Sequence, residues 1–103
     1  MKTNMEQPKD RLCGRRVLFP LGEIFITRNA AEKLLSLDVA DALFRHAQGD
    51  WGDVCEEDRL SNEHALVEES RLFSAYHATA GQKFWIITEH DRSATTILLP
   101  EDY

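Results

Sequence analysis

The residues best suited to chemistry in this chain are His46, Ser74, Tyr76, Thr88 and Arg92. A histidine can take and return a proton near neutral pH. Hydroxyls can hydrogen-bond a phosphate, and a guanidinium can hold one or stabilise its pentavalent transition state. Gathered in one place, these side chains would suit a small metal-independent nuclease or a nucleotide-binding site. Each also has an ordinary structural use. His46 falls near the end of a helical pattern, where a cation meets the helix dipole favourably. Thr and Tyr are good strand formers. His64, His77 and His90 read as surface or half-buried residues. No zinc-protease, nucleophile-elbow, Walker A or dinucleotide glycine motif occurs. Cys13 and Cys55 have no partner at zinc spacing and read as reduced thiols. No metal or cofactor is expected.

A second cluster is acidic. Residues 49–70 hold eight carboxylates against the single Arg59, whereas the rest of the chain is nearly neutral, so this segment accounts for the whole formal charge of −6. Asp53, Glu56, Glu57 and Asp58 are the candidate partner-binding residues of this stretch, as a surface for a basic partner. The ordinary reading is a solvated helix face. The spacing does not match a calcium loop.

The elements that must carry these residues follow from periodicity. Residues 1–12 are polar and aperiodic and read as a tail, with 13–103 as one domain. Gly22–Thr27 reads as a strand, and Val17–Phe19 as a short partner for it. Asn29 with Glu32 predicts a capping box and a helix over 30–36. Asp38 with Asp41 predicts a second helix over 39–48, ended by Gly49. Asp53 with Glu56 predicts a third over 54–68. From residue 71 the period changes to two, which predicts strands over 71–78, 83–89 and 95–99 joined by short turns, and Pro100 stops the last. In such a meander one face would be apolar against the helices. The other would gather Ser74, Tyr76, Thr88 or Glu89, and Thr95 or Thr96, with Arg92 at a neighbouring turn.

The fold class expected is therefore α+β, with about three helices packed on one face of a roughly four-stranded antiparallel sheet that ends in a meander. The expected core is Ile24, Ile26, Leu34, Leu35, Leu43, Phe44, Trp51, Leu66, Ile86, Ile97 and Leu99. With 43% hydrophobic and 29% charged residues, the composition is that of an ordinary soluble domain. No apolar run reaches membrane-spanning length and no secretory leader is evident, which predicts a cytoplasmic protein with no membrane partner. The acidic balance argues against coating nucleic acid by charge alone.

The segments Gly49-Asp50-Trp51-Gly52, Arg71 to Tyr76 and, above all, Thr88 to Tyr103 (TEHDRSATTILLPEDY) resemble a family of small bacterial proteins of plasmids, prophages and other mobile elements, often labelled plasmid-related protein. The resemblance spans roughly residues 18–103 and implies no established activity. Some members carry a label that ties them to the modification subunit of a type I restriction system. This chain is too short for a methyltransferase fold and lacks both a glycine-rich cofactor loop and an Asn-Pro-Pro-aromatic motif. Helices followed by a meander are also similar in layout to small barnase-like and RelE-like nuclease domains. The favoured expectation is a non-catalytic accessory protein of a mobile element that acts on an unknown protein partner. The alternative is the nuclease or nucleotide-binding domain using His46, Ser74, Tyr76, Thr88 and Arg92. Nucleic acid is not specifically indicated, and exposed sheet edges leave room for a homodimer.

Overall fold

The period-two segments after residue 70 form three strands in a computed structural model that describes residues 17–103. The described elements, in order, are strand β1 (Glu23–Ile26), helices α1 (Arg28–Lys33), α2 (Ser36–Ala47) and α3 (Glu56–Glu68), and strands β2 (Leu72–His77), β3 (Lys83–Thr88) and β4 (Ala94–Leu98). A 3-10 turn, Pro100–Asp102, follows. Residues 1–12, Cys13 and the domain start proposed there lie outside the described residues.

The sheet runs β1-β4-β3-β2. The short turns force β2, β3 and β4 into an antiparallel meander, with Ser74 opposite Ile86 and Ile86 opposite Ile97. β1 departs from the expectation of a fully antiparallel sheet. It lies parallel to β4, Glu23 opposite Ala94 through Ile26 opposite Ile97. A tight hairpin dictates direction, but the long helical path from β1 to the meander does not. The fold is thus α+β with a mixed sheet. Residues 17–19 form no strand; Leu18 instead donates its N–H to the Ala47 carbonyl at 2.8 Å.

The helix starts also differ from the expected capping boxes. Thr27, not Asn29, caps α1: its backbone is extended and its hydroxyl accepts the Ala30 N–H at 3.1 Å. The same hydroxyl donates to Asp102 at 2.7 Å, and Asn29 donates to the other Asp102 oxygen at 3.1 Å. α2 starts earlier than Asp38, and Asp38 lies in its first turn. There its carboxylate accepts the backbone N–H and the hydroxyl of Thr79, tying α2 to the β2–β3 turn. α3 starts after Cys55, which makes no side-chain cap. Asp53 instead donates its N–H to the Ala75 carbonyl at 2.7 Å. Gly49 ends α2 as expected, with φ of 83°.

Two apolar clusters fill the space between helices and sheet. Ala30, Leu34, Ala42, Tyr76, Ala78, Phe84, Ile86, Ile97 and Leu99 form the larger; Phe19, Trp51, Ala65 and Leu72 form the smaller. Leu34, Trp51, Ile86, Ile97 and Leu99 are buried as expected, whereas Leu43 and Leu66 pack at the margin. Ile24, Ile26, Leu35 and Phe44 are 45%, 41%, 63% and 56% exposed. Ile24 and Ile26 lie on the helix-facing side as expected, but among the described residues β1 is an edge strand with no full covering layer; Leu35 is the cap position before α2, and Phe44 lies on an exposed side of α2.

Candidate functional site

The helix-facing side of the sheet carries Ser74 and Tyr76 from β2, Thr88 from β3 and Thr95 from β4, because these positions alternate with Phe73, Trp85 and Thr96. This corrects the expectation that the hydroxyls lie opposite the helices. They can lie inside because α2 brings His46 down onto them. The His46 ring bonds Ser74 Oγ through Nδ1 at 2.5 Å and Thr88 Oγ1 through Nε2 at 2.9 Å. Thr88 Oγ1 bonds Thr95 Oγ1 at 2.7 Å, and Thr95 Oγ1 donates to the Leu21 carbonyl at 2.6 Å.

The direction of every proton in this chain follows from its last member. A carbonyl only accepts, so the Thr95 hydroxyl hydrogen is committed to Leu21. Thr95 must then accept from Thr88, and Thr88, its proton spent, must accept from His46 Nε2–H. Nδ1 is left bare and accepts from Ser74. The ring is therefore assigned as the neutral Nε2–H tautomer. His46, Ser74, Thr88 and Thr95 have no solvent exposure. Phe19 and Trp51 close over the ring edge-on, at centroid distances of 5.2 and 5.7 Å. Burial, helped by the nearby Arg92 charge, lowers the His46 pKa to about 3. A base this weak, with both nitrogens occupied, holds the core together rather than meeting a substrate.

Tyr76 and Arg92 serve other structures. The Tyr76 hydroxyl donates to the Asp50 carbonyl at 2.5 Å, and burial raises its pKa. Arg45 stacks over the Tyr76 ring at 4.8 Å and grips the Asp50 carboxylate at 2.8 and 3.3 Å. Arg45 and Tyr76 border a polar cleft of 370 Å³ with Gly52, Asp53 and His77. Arg92 spends its guanidinium on backbone carbonyls: Ala65 at 2.9 Å, Ser70 at 2.5 Å, Glu89 at 3.1 Å and His90 at 3.2 Å. It clamps the C-terminal end of α3 to the β3–β4 turn. Of the five chemistry-bearing residues, the fold thus joins His46, Ser74 and Thr88 in one sealed network and puts Tyr76 and Arg92 in two other hydrogen-bonded settings.

The acidic residues sit where a helix tolerates them best. Glu56, Glu57 and Asp58 form the exposed first turn of α3, where carboxylates meet the positive end of the helix dipole. Glu56 pairs with Arg59, which holds its carboxyl below the usual range. Asp53 approaches His77 at 3.8 Å. Among the described residues no group of three metal-ligating side chains assembles. No helix there is long and apolar enough to cross a membrane.

Two apolar surfaces were not legible from motifs. Phe73, Trp85 and Tyr103 stack edge-on across the open sheet face, around a 280 Å³ slot that Arg71, Leu72 and Ile87 complete. A larger surface runs along β1 and α2. A groove of 540 Å³ lies between Ile24, Leu43 and Phe44, and a second of 340 Å³ between Ile26, Val39 and Leu43. Val17, Leu18, Phe25, Leu35 and Leu37 are also exposed. The signal for it was present in GEIFIT: three apolar residues in succession are not the alternation of a strand with one wet face. Comparison with family models, curated proteins and solved structures finds no match to this chain.

Proposed function

We propose that this chain is a non-catalytic interaction module, an accessory protein of a mobile genetic element, that binds another protein through its β1–α2 flank. The mobile-element part rests on the resemblance carried by the Thr88 to Tyr103 segment. The interaction part rests on one observation: a strand exposed along its whole length lies beside apolar grooves lined by a helix that bares Phe44 and Leu37. Large contiguous apolar patches on a small domain mark contact sites. The acidic cluster Asp53, Glu56, Glu57 and Asp58 already has an internal use in the helix dipole and Arg59, so the flank is the stronger candidate for the contact. A nuclease or nucleotide-binding role would require His46 to reach solvent, and the network of Ser74, Thr88 and Thr95 holds it inside.

Photo-crosslinking in the native host tests this. A benzophenone side chain placed at Phe44 should give protein adducts, whereas one placed at Glu57 should give few. An absence of protein adducts at Phe44, or adducts to nucleic acid there, overturns the proposal.

A further inference from the structure

The two edges of the sheet are treated differently. On β2, Asn62 bonds both the N–H and the C=O of Phe73, at 3.0 and 2.7 Å, and residues 51–53 bond both groups of Ala75. That edge is closed. On β1, the N–H groups of Glu23 and Thr27 reach Ser93 and Ile97 of the β4 side, each at 3.0 Å. In a parallel pair only alternate residues turn toward the neighbour. Ile24 and Ile26 therefore aim their backbone groups outward, and among the described residues no strand receives them.

Resting on the reading of this flank as an interaction surface, we propose that a second copy of this chain completes the edge, β1 pairing antiparallel with β1 about a two-fold axis. Charge selects this arrangement. Glu23 opens the strand and Arg28 lies just past its end. Both are exposed, and neither side chain has an ion pair or hydrogen bond among the described residues. Antiparallel pairing lays each Glu23 beside the other copy's Arg28; parallel pairing lays like on like.

Backbone parity then narrows the register. The outward-facing Ile24 and Ile26 must bond outward-facing residues. With Ile24 opposite the second copy's Ile26, Phe25 faces Phe25 across the axis in the close, non-hydrogen-bonded position that suits aromatic pairs. Glu23 then faces Thr27, next to Arg28. A shift to Ile24 opposite Ile24 sets Glu23 against Phe25, and a shift to Ile26 opposite Ile26 sets Arg28 against Ile24. On the helix side, the second copy's Ile24 and Phe44 would enter the grooves beside Leu43. The contact is isologous and closes on itself, as a stable dimer requires.

Sedimentation equilibrium of the full chain tests the pairing. Wild type should dimerise. Glu23→Arg alone and Arg28→Glu alone should each raise the dimer dissociation constant about tenfold, since each removes two symmetry-related pairs and adds two repulsions. The double variant Glu23→Arg/Arg28→Glu should recover wild-type affinity. Both positions are exposed, so unchanged circular dichroism separates lost pairing from lost folding. A wild type that stays monomeric, or single variants that bind like wild type, or a double variant that is not rescued, overturns self-pairing through β1. A monomeric wild type whose Phe44 still crosslinks to a different protein removes the second copy as occupant and leaves the interaction module standing.

Discussion

Mild acid should destabilise this protein through one residue, His46. In an unfolded chain its imidazole takes up a proton near the ordinary pKa of 6.5, whereas the folded ring resists protonation down to about 3. Between these values the unfolded state binds more protons than the folded state, so stability rises with pH across that window and is lost as pH falls through it. The full contribution is present above pH 6.5. Between pH 6.5 and 4.5 the loss works out at about 2.3 kcal/mol, with a slope that approaches about 1.4 kcal/mol per pH unit at the acid end. Carboxylates held below their ordinary values, such as Asp102 through Thr27, Asp91 through Ser93 and Glu56 through Arg59, act mostly below pH 4.5, so most of this window belongs to His46. Urea unfolding followed by the fluorescence of buried Trp51 measures the slope directly. His46→Gln should start from a lower stability, because Ser74 or Thr88 loses its partner at about 1–3 kcal/mol, and should show little slope. If the variant does not fold, nitrogen NMR of the wild type decides: the ring should stay neutral, Nε2 protonated, at pH 5. A ring that titrates near 6.5, or wild-type stability that is flat from 6.5 to 4.5, refutes the reasoning.

Two further outcomes test the clamps around the core. Gly52→Ala should cost at least about 2 kcal/mol in urea unfolding, because Gly52 has a φ of 76° and a Cβ there would stand 2.1 Å from the Ala75 carbonyl oxygen. Gly81→Ala, also at positive φ but with nothing within 4 Å, should cost less, which separates the clash from the backbone strain. Arg92→Ala should cost about 1–3 kcal/mol and should speed hydrogen exchange of the last-turn amides of α3, since Arg92 binds the Ala65 and Ser70 carbonyls. Unchanged exchange there would mean that the clamp carries no load.

What could be read from the sequence was whatever local rules decide. The hairpins of the meander were legible because short turns admit one strand direction, and Gly49 was legible because a helix end with positive φ selects glycine. Helix starts were less so. Thr27 outcompetes Asn29 as a cap because Asp102, 75 residues away, accepts its proton and also takes the amide of Asn29. A capping box read from spacing alone cannot include that third party. The chemistry-bearing residues failed for a related reason. Ser74, Thr88 and His46 look like a site when listed by type, and they do meet. Only the fold shows that the proton of each is committed along a line ending at the Leu21 carbonyl, leaving none for a substrate.

The treatment of the two sheet edges carries the functional argument further than composition can. An open edge strand is a standing invitation to pair, and small proteins usually blunt it with charges, proline or a covering segment. Here the chain spends Asn62, Trp51 and Asp53 on closing β2. On β1 the side chains of Ile24, Phe25 and Ile26 are all exposed, with charge only at the strand's start and just past its end. A protein under pressure merely to stay soluble would be expected to protect both edges alike. Among the described residues protection falls on one edge alone, beside a helix that bares Phe44, and that is what a surface built to be covered would look like. The charges at its two ends, opposite in sign, set the direction in which a matching strand must run.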